Sequence, residues 1–455
     1  MHEPPWGDET EITELVMGWV SRRVVQPSDP KTSAVPPDQL HAAAGRTITP
    51  QGIGAAAALE VFDRVLVPAT RAQDDEMNLA YIPSAPTRAA IAFDLATSAA
   101  NVFAGLWETG AGAIFAENEA LGWIRELLGW PDTAGGTFVA GGTSGNLAAL
   151  HAARTSAAAR RGARPENGWA VLCTEGAHSS IRAAASVLDV RLRVVPSDEQ
   201  GRLTGDAVGR VLDEDDGVAA VVASAGTTNA GIVDDLDSTS RVCAERWVWL
   251  HVDGAYGGAA LAAPSARHLF AGIERADSFI VDPHKWLFAP YDSCALVYRD
   301  LAPARAAHAQ TASYLDVIDR EAYNPADLAI HLTRRARGLP FWFSLATHGT
   351  ERYAAAVEAS LATARAVAAH IEASPHLRLL REPTLSVVLF DVPGWGEQDY
   401  QDWSGRMARE GIVLCLPTTW EGATALRLAF VNPRTDPDRV AEVLDGIAGW
   451  RTALG

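Results

Sequence analysis

Seven short apolar runs between residues 135 and 298 constrain this chain more than any other feature. They are "TFVAGG", "WAVLCTEG", "RLRVVPS", "VAAVVASAG", "WVWLHVDG", "SFIVD" and "SCALVYR", bounded by Gly, Asp or Ser and separated by helical segments. A strand shielded on both faces has no reason to alternate polar with apolar residues, so such runs mark a mainly parallel sheet with helices on both faces. The expected class is α/β. Before it, residues 10–71 read as helices broken by proline-rich loops such as "QPSDPKTSAVPPDQL", a leading arm more than a domain. An Ala-rich helical stretch follows from 86 to about 130. Residues 347–374 carry apolar positions at three- and four-residue spacing and predict one long helix. Beyond it "LRLLREP", "LSVVLFDV" and "TALRLAFVN" read as strands, with helices at 399–410 and 436–454. The expected organisation is an N-terminal helical arm (1–85), a large domain (86–338) and a smaller C-terminal α/β domain (339–455).

Composition narrows the partners. A net charge of −18 argues against nucleic acid and anionic membranes, which reward clustered Lys and Arg. The four cysteines are scattered without a CxxC pair, so a reduced, metal-free protein is expected. The N-terminus has acids where a signal peptide needs positive charge, and no run approaches a membrane span, which makes a cytoplasmic location the expectation.

In an open α/β sheet ligands sit outside the carboxyl ends of the strands, so the residues ending each run carry the function. "GGTSGNLAALHAAR" (141–154) places two glycines and the hydroxyls of Thr143 and Ser144 before a helix, a composition suited to a phosphate; a turn capped by Ser144 or Asn146 describes the same residues. His178 follows the second run as either a capping or a catalytic residue, and Thr227 follows the fourth. Asp253 ends the apolar run "VWLHVD", where a carboxylate is costly to desolvate unless something positive meets it. The partner is an Arg or Lys, or a protonated ring nitrogen. Lys285 closes "DSFIVDPHK" one strand further on. A phosphate cup, a strand-end acid and a strand-end lysine are together the contacts that pyridoxal 5'-phosphate requires.

The motifs "HVDGAYGG", "ADSFIVDPHKWL", "GAHSSIRAA", "GGTSGNLAALHAAR" and "LTRRARGLPFWFSL" give the chain a specific resemblance, from Leu79 onward, to the group II pyridoxal-phosphate-dependent amino acid decarboxylases, the family of the aromatic L-amino acid and glutamate decarboxylases. The resemblance implies fold type I (aspartate aminotransferase-like), a homodimer with active sites at the interface, and a small-molecule amino acid substrate. It implies that Lys285 is the Schiff-base lysine, Asp253 the pyridinium partner, His178 the residue stacked on the ring and Ala255 its counterpart on the other face. Thr143, Ser144 and His284 would contact the phosphate and Thr227 the ring edge.

The sequence departs from the family in two places. Counting back from Arg334 puts Pro325 where the animal aromatic enzymes carry a loop tyrosine assigned as proton donor, which leaves Tyr323, two positions away, as the candidate. The Ser-Pro-Ala-(x)-Thr-Glu motif after "GLWETGAG" is replaced by "GAGAIFAENEALGW". Tyr81, Ile82 and Ser84 in "NLAYIPSAPT", with Trp107 and Thr109, are the substrate-wall candidates, and Arg427 either holds a carboxylate or braces the small domain. Decarboxylation of an apolar or aromatic L-amino acid is the expected reaction. An oxidative aldehyde synthase or a lyase acting at Cα–Cβ is the alternative on the same scaffold.

Overall fold

All seven apolar runs become strands of one sheet: β1 Gly135–Val139, β2 Ala170–Thr174, β3 Arg191–Val195, β4 Val218–Ser224, β5 Trp249–Asp253, β6 Ser278–Val281 and β7 Cys294–Tyr298. The computed structural model describes residues 9–31, 33–309 and 322–450. The strand order is β1-β7-β6-β5-β4-β2-β3. Pairs β2–β3, β2–β4, β4–β5 and β5–β6 are parallel, whereas β7 runs antiparallel to β1 and to β6. The β6–β7 connection holds a single helical turn, Pro283–Trp286, instead of the crossover helix that a parallel return needs. Because only β7 is reversed, the carboxyl ends of β1, β2, β4, β5 and β6 share one edge of the sheet.

Burial explains the unbroken apolar runs. Every residue of β2, β4, β5 and β6 is buried. Side chains still alternate between faces: Phe279 and Val281 pack into one core cluster and Ile280 into another. Each such side chain contributes roughly 2–3 kcal/mol of burial free energy. These apolar anchors fix the register of β6, and with it the place where Asp282 and Lys285 emerge.

The second sheet is antiparallel, with β8 Arg378–Arg381, β9 Val387–Asp391, β10 Leu416–Trp420 and β11 Ala423–Ala429 in the order β10-β11-β9-β8. The sequence patterns left β10 out, because Pro417 and two threonines conceal it. At a sheet edge the missing N–H of proline costs no ladder bond. The helix expected over 347–374 is two helices, Leu339–His348 and Thr350–Ala373, broken at Gly349, whose φ of +78° suits glycine. The second of these ties the two cores together: Tyr353, Val357 and Leu361 belong to the large one, and Ala364, Val367 and Ile371 to the small one.

The helices Thr10–Val25, Pro37–Ala44 and Ala55–Val61 bury none of their described residues. Met77 and Leu79, placed with the arm on sequence, instead pack in the small core, and the Leu79 amide donates to the Leu414 carbonyl at 3.0 Å.

Candidate active site

After β1 the chain turns through Gly141, at φ +153°, into the helix Gly142–Arg161. Neither Ser144 nor Asn146 caps this helix; its N-cap is Gly141, without a side-chain bond. The Ser144 amide donates to the Gly141 carbonyl at 2.9 Å, while the first amides of the turn, those of Gly142 and Thr143, point off the helix end, a suitable seat for an anion. Gly142 is needed for space, and Gly141 for its positive φ. A Cβ on Gly142 would lie 3.2 Å from both Ala255 Cβ and Asp282 Oδ2, and one on Gly141 would lie 3.9 Å from His284 Cε1. The cup, Ala255 two residues beyond Asp253 and the β6 terminus thus meet at one point.

Asp253 is buried at the end of β5; Oδ2 accepts from Asn146 Nδ2 at 2.8 Å and Oδ1 from the Ala255 amide at 3.1 Å. Lys285 Nζ lies 3.0 Å from Asp282 Oδ2. Burial works to lower the Lys285 pKa, but Asp282 and Asp253 outweigh it and hold the amine above its ordinary value. Asp282, which sequence reading passed over as part of a turn, is thus the immediate partner of the lysine. His284 is buried, its Nδ1 meeting Ser293 at 2.7 Å to the carbonyl and 3.1 Å from the amide, and its ring centroid is 4.9 Å from that of Tyr291. Burial pushes the Tyr291 phenol up while Lys285 acts to lower it, so Tyr291 belongs to the site although no motif pointed to it.

His178 caps the helix Ser179–Val187, its Nδ1 bonded by the Ser180 amide at 3.2 Å and the Ser180 hydroxyl at 2.8 Å. It borders, with Thr227, Gly176 and Arg381, a cavity of about 840 Å³ between the large and small sheets. Thr227 Oγ1 accepts from the Ile232 amide at 3.1 Å, which leaves its proton to donate.

The substrate-wall candidates divide. Ile82 is buried, and Ser84, whose hydroxyl donates to the Ala289 carbonyl at 3.1 Å, lines a 290 Å³ cavity with Pro86, Ile91, Pro290 and Tyr291. Tyr81 is 68% exposed. The Trp107 amide is held by Asn324 Oδ1 at 3.0 Å, and Thr109 is exposed, bonding Leu106 O at 3.1 Å. These three are not brought to the cluster within one chain.

The expectation for Tyr323 is corrected. Its hydroxyl donates to the Gly136 carbonyl and accepts from the Gly136 amide, both at 2.7 Å. Gly136 is the second residue of β1, and five residues of extended chain put it roughly 15 Å from the cup at the other end. Burial pushes the phenol up to about 12. Within this chain the Tyr323 hydroxyl is thus spent on the sheet, away from the cup. Arg427 is buried: burial brings its guanidinium down to about 10, and among the described residues it has no acidic partner and its Nε and Nη2 have no hydrogen-bond partner.

This convergence of cup, acid, imidazole and lysine agrees with the comparison to known proteins. The profile of the pyridoxal-dependent decarboxylase conserved domain matches residues 52–393. The chain belongs to the pyridoxal-dependent decarboxylases. Among curated relatives of this decarboxylase, an L-2,4-diaminobutyrate decarboxylase of Rhizobium meliloti is 31% identical, over 87% of this chain and 82% of its own length. An aromatic-L-amino-acid decarboxylase of Bacillus atrophaeus is 29% identical, over 80% and 79%. The fold is that of Oryza sativa TDC crystallised with PLP and tryptamine, with a TM-score of 0.91 at 23% identity and complete coverage of both chains. Rhodiola rosea 4-hydroxyphenylacetaldehyde synthase shares it at 0.88 and 21% identity, covering 98% and 99%. The decarboxylase is accordingly a fold type I, pyridoxal-phosphate-dependent carboxy-lyase. No helix among its described residues is long and apolar enough to cross a membrane.

Proposed function

We propose that the enzyme decarboxylates an L-amino acid with an apolar or aromatic side chain, using Lys285 to hold the cofactor covalently. The observation that carries this reading is the arrival of Lys285, Asp282, Asp253 and the Gly141–Gly142 cup at one sheet edge. Bound pyridoxal phosphate supplies an electron sink for the bond broken at Cα.

The protein's own groups do the rest. The open N–H groups after Gly141, with Thr143, Ser144 and His284, would hold the phosphate. Asp253, fixed by Asn146 and the Ala255 amide, would pair with the ring nitrogen, and Ala255 and His178 would pack against the ring. Thr227 would donate to it. Asp282 holds the Lys285 ammonium in place beside the cup. The unpartnered donors of Arg427 suit a carboxylate of the substrate. A relative that acts on aromatic amino acids supports an apolar or aromatic side chain; the cavity beside Tyr291 mixes Pro86, Ile91 and Pro290 with Arg23, Gln73 and Asp74 and does not choose. Tyr81, exposed within one chain, would meet a substrate across a subunit interface, which makes a homodimer part of this reading, as is a cytoplasmic location. Exposed Ile12, Val16 and Met17 on the N-terminal helix support that assembly.

The diversion of Tyr323 to Gly136 favours a second reading, in which molecular oxygen is consumed and an aldehyde forms. A screen of the protein amino acids for CO2 and primary amine, with Lys285→Ala as control, tests the proposal. Stoichiometric aldehyde with oxygen uptake favours the second reading, and aldehyde from β-hydroxy amino acids alone points to Cα–Cβ cleavage.

A further inference from the structure

A buried chain of hydrogen bonds runs behind the site, and its donors have one consistent direction. Trp249 Nε1, which only donates, meets Ser278 Oγ at 2.8 Å. Ser278 Oγ lies 2.8 Å from His251 Nδ1, and His251 Nε2 lies 2.8 Å from Asn146 Oδ1. Asn146 Nδ2 contacts Asp253 Oδ2 at 2.8 Å and Ser180 Oγ at 2.9 Å, and Ser180 Oγ reaches His178 Nδ1 at 2.8 Å. Trp249, Ser278, His251, Asn146, Ser180 and Asp253 are all buried.

The direction follows from either end. Asp253 accepts at both oxygens, so the nitrogen of Asn146 must face it and the oxygen must face His251. His251 then carries its proton on Nε2. Burial brings this imidazole down to about 4, so it is neutral and its Nδ1 accepts from Ser278, whose oxygen in turn receives the Trp249 N–H. At the far end the Ser180 amide already donates to His178 Nδ1, which excludes a proton there and directs the Ser180 hydroxyl to the same atom. A reversed Asn146 would set donor against donor at His251 and acceptor against acceptor at Asp253.

We propose that Asn146 is the positioning residue of this enzyme, orienting Asp253 and His178 together through one amide whose sense is set from Trp249, Ser278 and His251. His178 then offers Nε2–H, a donor and not a base, to whatever lies over the cofactor. The inference rests on the reading of Asp253 as the cofactor's partner. It assigns a task to the conspicuous His251 of the "HVD" motif, whose imidazole is wholly buried and touches no open space.

The test is a fluorescence titration of the full-length apoprotein with pyridoxal phosphate for wild type, Asn146→Ala, Asn146→Asp and Asp253→Ala, with thermal unfolding as the folding control. Asn146→Ala is expected to weaken binding about tenfold, and Asn146→Asp, isosteric but accepting where it should donate, about a hundredfold. Packing alone predicts the opposite order, and that order overturns the proposal. Asp253→Ala binding as wild type defeats only the underlying reading. Nitrogen-15 spectra of histidine-labelled wild-type apoprotein decide the matter even if the variants do not fold: His251 and His178 are both expected as neutral Nε2–H tautomers, and an Nδ1–H signal from either sinks the proposal.

Discussion

Lys285 Nζ and Asp282 Oδ2 lie 3.0 Å apart on a single helical turn, with Pro283 at its first position. The pairing stores the nucleophile as an ammonium, since Asp282 and Asp253 together outweigh the effect of burial. The free amine that attacks an aldehyde is therefore scarce at neutral pH and grows with rising pH. Asp282→Asn removes one of the charges that raise the pKa and shifts this rise to lower pH. Loading of the apoprotein with pyridoxal phosphate, followed by absorbance in a stopped-flow instrument, should be faster at pH 7 in the variant than in wild type.

Tyr323 gives a prediction of opposite kind. Tyr323→Phe deletes two hydrogen bonds to Gly136 and leaves the strand amide and carbonyl without their partner. The expected cost is about 1–3 kcal/mol of stability, read from urea unfolding, with kcat within a few-fold of wild type. A thousandfold fall in kcat with unchanged stability would restore Tyr323 as the proton donor.

Three histidines set an acid limit. Burial holds His251, His308 and His331 neutral down to about pH 4, whereas in the unfolded chain each titrates near 6.5. Their folded pKa is depressed, so the unfolded state binds more protons between these values and stability falls as pH drops from 6.5 toward 4. Each contributes up to about 3 kcal/mol to that loss. His331→Asn should flatten the dependence of unfolding free energy on pH within this window by roughly a third and leave stability above pH 7 little changed.

Arg427 is testable through a split in kinetic constants. Removing a cation that meets the substrate's carboxylate raises KM more than it lowers kcat. Arg427→Met, which keeps the apolar stem and discards the orphaned N–H groups, is expected to raise KM at least tenfold while the folded protein persists. A bracing role instead predicts a lower melting temperature with KM unchanged.

The large sheet, its apolar strands and the residues at their ends were legible in sequence because burial on both faces leaves a local signature that no turn or surface helix shares. Lys285, Asp253, His178 and the Gly141–Gly142 pair could be picked out for the same reason: each terminates such a run. The small sheet was only partly legible, since β10 borrows its stability from an edge position and carries proline and threonine that resemble a loop.

Sequence alone determined the cofactor class and the strand ends that serve it, because the spacing of apolar runs and the motif residues are local properties of the chain. Tertiary structure decided which groups meet. Asp282 rather than Asp253 holds Lys285, Asn146 turns inward between Asp253 and His251 instead of capping its helix, and Tyr323 is bound to the far end of β1. Those outcomes depend on distances of about 3 Å between residues 3 to 187 positions apart, and a buried polar group takes whichever partner the packed sheet places within reach.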